Sequence, residues 1–599
     1  MRSEARLAAH AICACLLSCA LSGRGPQERV SWAPVERVIA FADVHGAYDE
    51  LTGVLRSARV VDADLRWSAG TAHVVSLGDL LDRGAGSRKT MDLLMRLQDE
   101  ALAAGGALHV LLGNHEAMNL MGDLRDTSAA DLAAYAADEP PGLWEGRRAE
   151  WIARHGNDPA ARFDESFPPG YFGQRAAFAS EGRYGRWLLG LPVAIVIGDT
   201  LFMHGGPSRL LSGQSVEEIN RRYRTALSEY LTAFRALLSS GLLNDDDPFA
   251  DRAALAQKRL AGSSIGSFNI QGAPEESVRR FTAADADPIL DADGPNWYRG
   301  AALCNEASES DVLKPLLEGL GVKRLVVGHT VTPSRRVSSR FGGAVIKLDT
   351  GMNRAVFQGH PAALLLEGGA AHAVYAGEDR TPAAIPEEPL YVGATVPDDT
   401  AASVLAGGRV TVGATRAPGV LDVVVDLEGQ RVPAVFVEGG DAVGKELAAY
   451  RLDRALRLGL VPATVKREIA GRLGFLQARP ARWMSQADLR GSAPRAGGWC
   501  ELPPQLELMD AFDALIGNEG RTPERVLYDA EWMLFLTGHD RAFGPASSLP
   551  RHPLPGPEMR RRLATLEAES VARLLGDLLG ERERVALFAR RDALLKAGR

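Results

Sequence analysis

Cysteine is scarce in this chain: 599 residues carry five, and three of them (Cys13, Cys15, Cys19) fall near the start. Cys304 and Cys500 remain, far apart, so a disulfide scaffold is excluded while one long-range bridge stays open. Positive charge is not in surplus either. With 68 Lys+Arg against 76 Asp+Glu the formal net charge is −8, which argues against a broad nucleic-acid-binding surface but allows a local basic pocket. Beyond the first residues no segment approaches the roughly 18 consecutive apolar residues of a membrane span, so the chain is expected to be soluble or anchored only near its start. What is present is ordinary globular material, 46% hydrophobic and 24% charged, which excludes disordered and fibrous classes. At roughly 100–200 residues per domain the length predicts about three structural units, long enough to bury a core without staples.

Residues 1–25 read as an export signal outside the fold. Arg2 and Arg6 precede an apolar run from Leu7 to Leu21, too short to cross a bilayer, which takes about 20 residues, but suited to a signal-peptide core. Leu17-Ser18-Cys19 is similar to a lipoprotein cleavage site, so lipidation at Cys19 and ordinary cleavage a few residues later both stay open. The expected location is the bacterial periplasm or a lipid anchor at the cell envelope.

From about residue 35 to 376, short apolar strands alternate with amphipathic helical stretches. The strands read Arg37–Phe41, His73–Leu77, Leu108–Leu112, Ala194–Ile197, Leu201–Met203 and Arg324–Val327, with Ala344–Leu348 and Ala362–Leu366 closing the unit. Strand, helix and strand in units of about 35 residues imply parallel neighbours and an α/β core. Helical insertions are expected at about 127–185 and 215–288, a linker with connecting strands at 377–417, and a second, α+β unit at 418–599. No internal repeat is evident.

Each strand of the first unit ends in a polar cluster: Asp43-Val44-His45-Gly46, Gly78-Asp79-Leu80-Leu81-Asp82-Arg83-Gly84, Gly113-Asn114-His115-Glu116, His204-Gly205-Gly206 and Gly328-His329-Thr330. Asp43 and Asp79 are 36 residues apart and Asp79 and Asn114 are 35 apart, one strand–helix–strand unit each. Side chains spaced so emerge side by side at the carboxyl edge of a parallel sheet. Two Asp, one Asn and three His suit borderline divalent metals, lacking both the thiolates of a structural zinc site and the all-oxygen shell calcium prefers.

These motifs resemble those of the calcineurin-like metallophosphoesterases. Asp82-Arg83-Gly84 looks like the phosphoprotein phosphatase branch. Gly113 to Arg125, Gly185-Arg186-Trp187-Leu188 and Trp297-Tyr298-Arg299-Gly300 look like the Shewanella-like protein phosphatases. The resemblance covers about residues 35–370. It implies a sheet core flanked by helices and a pair of divalent ions (Mn²⁺, Fe or Zn²⁺). Asp43, His45 and Asp79 would hold the first ion; Asp79, Asn114, His204 and His329 the second. It further implies His115 facing the leaving group, oriented by Asp82, and Arg83, Arg299 and Arg125 as phosphate-binding residues. Ala42, where that family usually has Gly, is expected to crowd the site slightly. The implied activity is hydrolysis of phosphomonoesters, on phosphoprotein or phosphopeptide substrates, by in-line attack of a metal-bridging hydroxide. A dinucleoside polyphosphatase and a phospho-ligand-binding scaffold are the alternatives.

Lys445-Glu446-Leu447-Ala448-Ala449-Tyr450, Gly517-Asn518-Glu519-Gly520-Arg521 and Thr537-Gly538-His539-Asp540 lie in the last 180 or so residues. This stretch resembles the atypical kinases related to phosphatidylinositol kinases, but departs at the residues that matter. Gly520, Arg525 and Gly538 stand where that group has its catalytic and metal-binding residues, and Val437 stands at the nucleotide lysine, leaving Glu446 without its partner. The resemblance therefore implies a pseudokinase, since nothing is left to hold Mg²⁺ on a nucleotide.

Overall fold

A computed structural model describes residues 29–155, 160–245, 247–262, 274–378, 382–480, 482–491, 498–549 and 554–597. The expected export segment, residues 1–25, lies outside the described residues. Among those described, no helix is long and apolar enough to cross a membrane.

The first unit contains β1 (Ser31–Trp32), β2 (Arg37–Phe41), β3 (His73–Ser76), β4 (Ala107–Val110), β5 (Ala194–Ile197), β6 (Thr200–Met203), β7 (Arg324–Val327), β8 (Ser338–Arg340), β9 (Val345–Lys347), β10 (Ala362–Glu367), β11 (Ala370–Tyr375) and β12 (Ala383–Ala384). These strands form two six-stranded sheets, ordered β1-β5-β6-β7-β9-β8 and β12-β11-β10-β2-β3-β4. The α/β class is as expected, but the strands divide between two sheets. The 35- and 36-residue spacings that reveal a crossover do not reveal which strands share a sheet. The three-stranded parallel sets are β2-β3-β4 in one sheet and β6-β7-β9 in the other, and β1 also pairs in parallel with β5. Both sheets feed one apolar core, with Phe41, Val74, Phe202 and Val326 fully buried. Both expected insertions are helical, the longer built on the capped helix Val216–Ser239 and the helix Pro274–Asp285.

The stretch expected as a linker is partly recruited into the first unit. β12 pairs with β11, and Glu388 accepts from the buried Lys347 ammonium at 2.8 Å. The second unit begins earlier than 418. β13 (Arg409–Ala417) is the edge of a five-stranded antiparallel sheet with β14 (Val420–Leu427), β15 (Gln430–Glu438), β16 (Thr464–Ile469) and β17 (Arg472–Ala478), ordered β13-β14-β15-β17-β16. The helix Asp441–Leu456 follows β15.

The two units are fastened together. A disulfide joins Cys304 to Cys500. Asn305 caps the helix Glu306–Gly319 and also donates to the Leu458 carbonyl at 2.6 Å. Glu558 of the second unit accepts from Lys314 of the first at 2.6 Å and also pairs with Arg561 and Arg562. Burial opposes its charge, but these three cations hold the Glu558 carboxyl down at about 2. A carboxylate so depressed contributes stability that is present above its unfolded value, about 4.3, and lost as pH falls toward its folded value. Glu558→Gln is therefore expected to lower the melting temperature near pH 7. The gap to wild type should close progressively between about pH 4.5 and about pH 2.5, as followed by thermal melts across that range.

Candidate metal centre

The carboxyl ends of the two parallel sets meet, and every polar cluster read from the sequence opens at this junction. Asp43 follows β2, Asp79 follows β3, Asn114 follows β4, His204 follows β6 and His329 follows β7. Backbone contacts draw these loops together: the Asp43 amide donates to the Gly78 carbonyl at 3.2 Å and the Gly328 amide to the His204 carbonyl at 2.8 Å. Close approach depends on glycine. A Cβ on Gly78, which sits at φ +97°, would lie 2.5 Å from the Gly113 nitrogen, and one on Gly328 would collide with the Asp43 carboxylate. The crowding expected from Ala42 is relieved here, because its Cβ faces the bare position 328.

Strain collects at the same place. Asp43, His45, Asp79, Asp82, Arg83 and His329 are all non-glycine residues with φ between +47° and +69°. A left-handed backbone at such residues costs of order 1–3 kcal/mol each and persists only where the surroundings over-determine it.

Asp79 is the hub. Its Oδ1 lies 3.3 Å from His204 Nε2 and accepts from the His115 amide at 3.0 Å, and its Oδ2 lies 3.7 Å from His45 Nε2. The imidazoles are pre-oriented. His204 Nδ1 donates to the Leu77 carbonyl at 2.8 Å and His45 Nδ1 to the Leu81 carbonyl at 3.1 Å. Each therefore turns an Nε2 lone pair inward, the tautomer that a backbone acceptor fixes in a metal-binding histidine. Asn114 Oδ1, another lone pair, stands 2.9 Å from His204 Nε2. His329 Nε2 is buried with no hydrogen-bond partner, and its amide donates to both oxygens of Asp43, at 3.0 and 3.1 Å.

Such a knot of lone pairs and carboxylates, all from residues less than a tenth exposed, is unfavourable unless positive charge enters it. In the chain alone, burial and the neighbouring charges of Asp349 and Asp79 hold Asp43 well above the usual carboxylate range. Burial pushes His45 down to about 3 and His329 well below the usual imidazole range. Burial also opposes charge on His204, yet the Asp79 carboxylate raises it. Two donor sets emerge, His45–Asp79–His115 and Asp79–His204–His329, with the donor atoms of each within 4.8 Å of one another. The donors present fit a pair of divalent cations sharing Asp79.

His115 is built differently from the other histidines. Its Nδ1 donates to Asp82 Oδ2 at 2.7 Å, and Asp82 is itself held by Asn119 Nδ2 at 2.9 Å and Thr127 Oγ1 at 2.5 Å. Its Nε2 faces the cluster, 3.9 Å from Asp79 and 3.3 Å from Arg83 Nη2. Burial opposes its charge, but Asp79 and Asp82 raise it above the usual imidazole range. Arg83 packs its guanidinium 5.2 Å from the Phe357 ring, and its Nε is buried without a protein partner. Arg299 Nη1 donates to the His329 carbonyl at 2.6 Å and to Thr330 Oγ1 at 3.1 Å, which brings it to the same rim. Arg125 is not brought in: its guanidinium is taken by Asp123 and lies over Phe249.

Three contributors escaped the sequence reading. Glu116 accepts from the amides of Asp79, Leu80 and Gly113, each at 2.8 Å, so it clasps the loops after β3 and β4. Asp349 is buried after β9, and its charge bears on Asp43 and Arg299. The polar run Asp349-Thr350-Gly351 after an apolar strand was the available signal. Trp499 comes from the second unit, and no local pattern could have placed it.

Residues 36–333 match the family model for calcineurin-like phosphoesterases. Among curated relatives, Shewanella-like protein phosphatase 2 of Arabidopsis thaliana is 25% identical over 350 residues, spanning 55% of this chain and 74% of its own. Shewanella-like protein phosphatase 1 of Plasmodium berghei (strain Anka) is 23% identical over 326 residues, spanning 54% and 69%. A solved structure of a cold-active protein-tyrosine phosphatase from a psychrophilic Shewanella species is 25% identical and covers 59% of this chain and 81% of its own, with a TM-score of 0.37.

The Glu116 clasp yields a test. Glu116→Gln swaps one acceptor oxygen for a donor amide among three backbone N–H groups. It is expected to lower divalent-metal affinity about 10- to 100-fold, as loss of a supporting partner behind metal ligands does, with an unchanged far-ultraviolet circular dichroism spectrum. Calorimetric titration of the metal-stripped protein with Mn²⁺ measures it.

Proposed function

We propose, from the premise that residues 36–333 form a calcineurin-like metallophosphoesterase domain and the chain is a metal-dependent phosphoester hydrolase, that its substrates are phosphoproteins or phosphopeptides. The protein phosphatases among its relatives support that substrate class. The observation that carries the reading is the sharing of Asp79 between two buried donor sets, with two guanidiniums turned toward it. Asp43, His45 and Asp79 would hold one cation, and Asp79, Asn114, His204 and His329 the other. When bound, the cations supply charge neutralisation for the phosphoryl oxygens and activate water at neutral pH.

The chain's own residues do the rest. Arg83 and Arg299 offer fork-shaped donors that match the equatorial phosphoryl oxygens. His115, oriented through Nδ1 by Asp82, holds a proton on Nε2 and delivers it to the departing alkoxide. Its tie to Asp82 and its place beside Arg83 favour this role over metal ligation, although it lies within reach of the first donor set. Arg125, engaged with Asp123, has no part in the phosphate clamp.

The second unit is read as a catalytically silent, kinase-like binding or regulatory domain. A five-stranded antiparallel sheet with the helix bearing Glu446 inserted between β15 and β16 supports this. So does the capture of Glu446 by His539, whose Nδ1 donates to it at 2.8 Å, and the pairing of Arg525 with Asp540 beside Gly538. The apolar run at Leu7–Leu21 and the Cys304–Cys500 disulfide both favour export to an oxidising compartment.

Assay of the full chain with Mn²⁺ on a phosphotyrosyl peptide, a phosphoseryl peptide and a dinucleoside tetraphosphate tests the substrate class. Turnover of a phosphopeptide is expected, and turnover of the dinucleotide alone would replace the reading with a dinucleoside polyphosphatase. Asp79→Asn should remove nearly all turnover. His115→Gln should cost about 10²- to 10⁴-fold in kcat on an alkyl phosphate and much less on p-nitrophenyl phosphate, whose leaving group needs no proton. Equal losses on both would remove His115 as the acid.

A further inference from the structure

We propose that Trp499, supplied by the second unit, is the positioning residue for the Arg299 guanidinium, so that the phosphate clamp is complete only with both units docked. The inference rests on the phosphatase reading above, in which Arg299 grips phosphate.

Arg299 lies at the N-terminal end of the short helix Gly300–Leu303. One edge of its fork is spent on the His329 carbonyl and Thr330, while its Nε is buried with no protein acceptor. Among the described residues, no carboxylate forms an ion pair with it, unlike Arg125, whose donors go to Asp123. The guanidinium carbon instead lies 4.7 Å from the centre of the Trp499 ring. An aromatic face fixes the plane of a guanidinium and lowers the cost of removing it from water while consuming none of its N–H donors. The remaining donors are thus left for a ligand. Trp499 also stands edge-on to His329, 6.4 Å between ring centres, as Trp297 does at 5.7 Å.

The segment that carries the indole is tied down on its C-terminal side. The neighbouring Cys500 is bonded to Cys304, which directly follows the Arg299 helix. The Cys500 amide donates to the Glu531 carbonyl at 3.1 Å, Glu501 pairs with Arg209 of the first unit at 3.5 Å, and the helix Leu502–Ile516 starts immediately after. The covalent link between the units therefore sits at the pair that it aligns, rather than at a remote edge of the interface.

The test is steady-state kinetics and inhibition by inorganic phosphate on full-length wild type, Trp499→Leu, Trp499→Phe, Arg299→Ala and the double variant Trp499→Leu/Arg299→Ala, with Mn²⁺ and p-nitrophenyl phosphate. Leucine keeps the bulk and removes the π face. It is expected to raise KM and the phosphate inhibition constant about 3- to 30-fold, the range of a partly desolvated cation–π contact. Phenylalanine should recover most of that loss, and the double variant should bind phosphate no worse than Arg299→Ala alone. Cys304→Ser/Cys500→Ser, which leaves the indole but frees its segment, should shift KM in the same direction. An active wild type with Trp499→Leu unchanged in KM, or losses that multiply in the double variant, would overturn the inference alone. A wild type without metal-dependent hydrolysis would remove the phosphatase reading and this inference together.

Discussion

The buried Asp79 carboxylate, ringed by imidazole lone pairs and a second carboxylate, is the constraint around which the first unit is organised. Packed closely and buried, these groups repel one another's charge and lone pairs, and only positive charge among them resolves the conflict. The loops that carry them pay for this proximity with left-handed backbone at six non-glycine positions and with glycines where two chains nearly touch. Glu116 and the carbonyls of Leu77 and Leu81 then lock what the loops have brought together. Rigid placement before any ligand arrives is what a site needs if its groups are to stabilise charge that develops only during reaction.

The remaining groups follow from that hub by division of labour. His115 sits within the cluster but is tied outward to Asp82, so it can carry a proton instead of serving only as a donor atom. Arg83 and Arg299 both lie against aromatic rings, Phe357 and Trp499, contacts that orient a guanidinium without using its N–H donors. The second unit enters the same logic through Trp499, which makes the interface between units part of the wall of the site.

Much of this was legible in the sequence, because strand-end motifs are local. The strands Arg37–Phe41, Ala194–Ile197 and Arg324–Val327 coincide with the structure. His45, Asp79, His204 and His329 come within reach of one another, with Asn114 against His204 and Asp43 against the His329 amide. What was not legible is what depends on distant pairing. Spacing shows a strand–helix–strand unit but not the sheet each strand joins, so the two-sheet arrangement did not follow from it. The stretch around Ile385–Pro389 reads as a linker by composition, yet Glu388 is drawn in by the buried Lys347. Arg125 was expected, after Arg299, as a further phosphate-binding residue; a carboxylate two residues away captures it. Trp499 has no signature of its own, since its importance comes from a disulfide partner and a guanidinium far away in the chain.

The most direct measurement of the central claim is the anomalous difference map of crystals grown with Mn²⁺. The account predicts two strong peaks flanking the Asp79 carboxylate, one beside Asp43 and His45 and the other beside Asn114, His204 and His329. A single peak, or peaks away from Asp79, would contradict it.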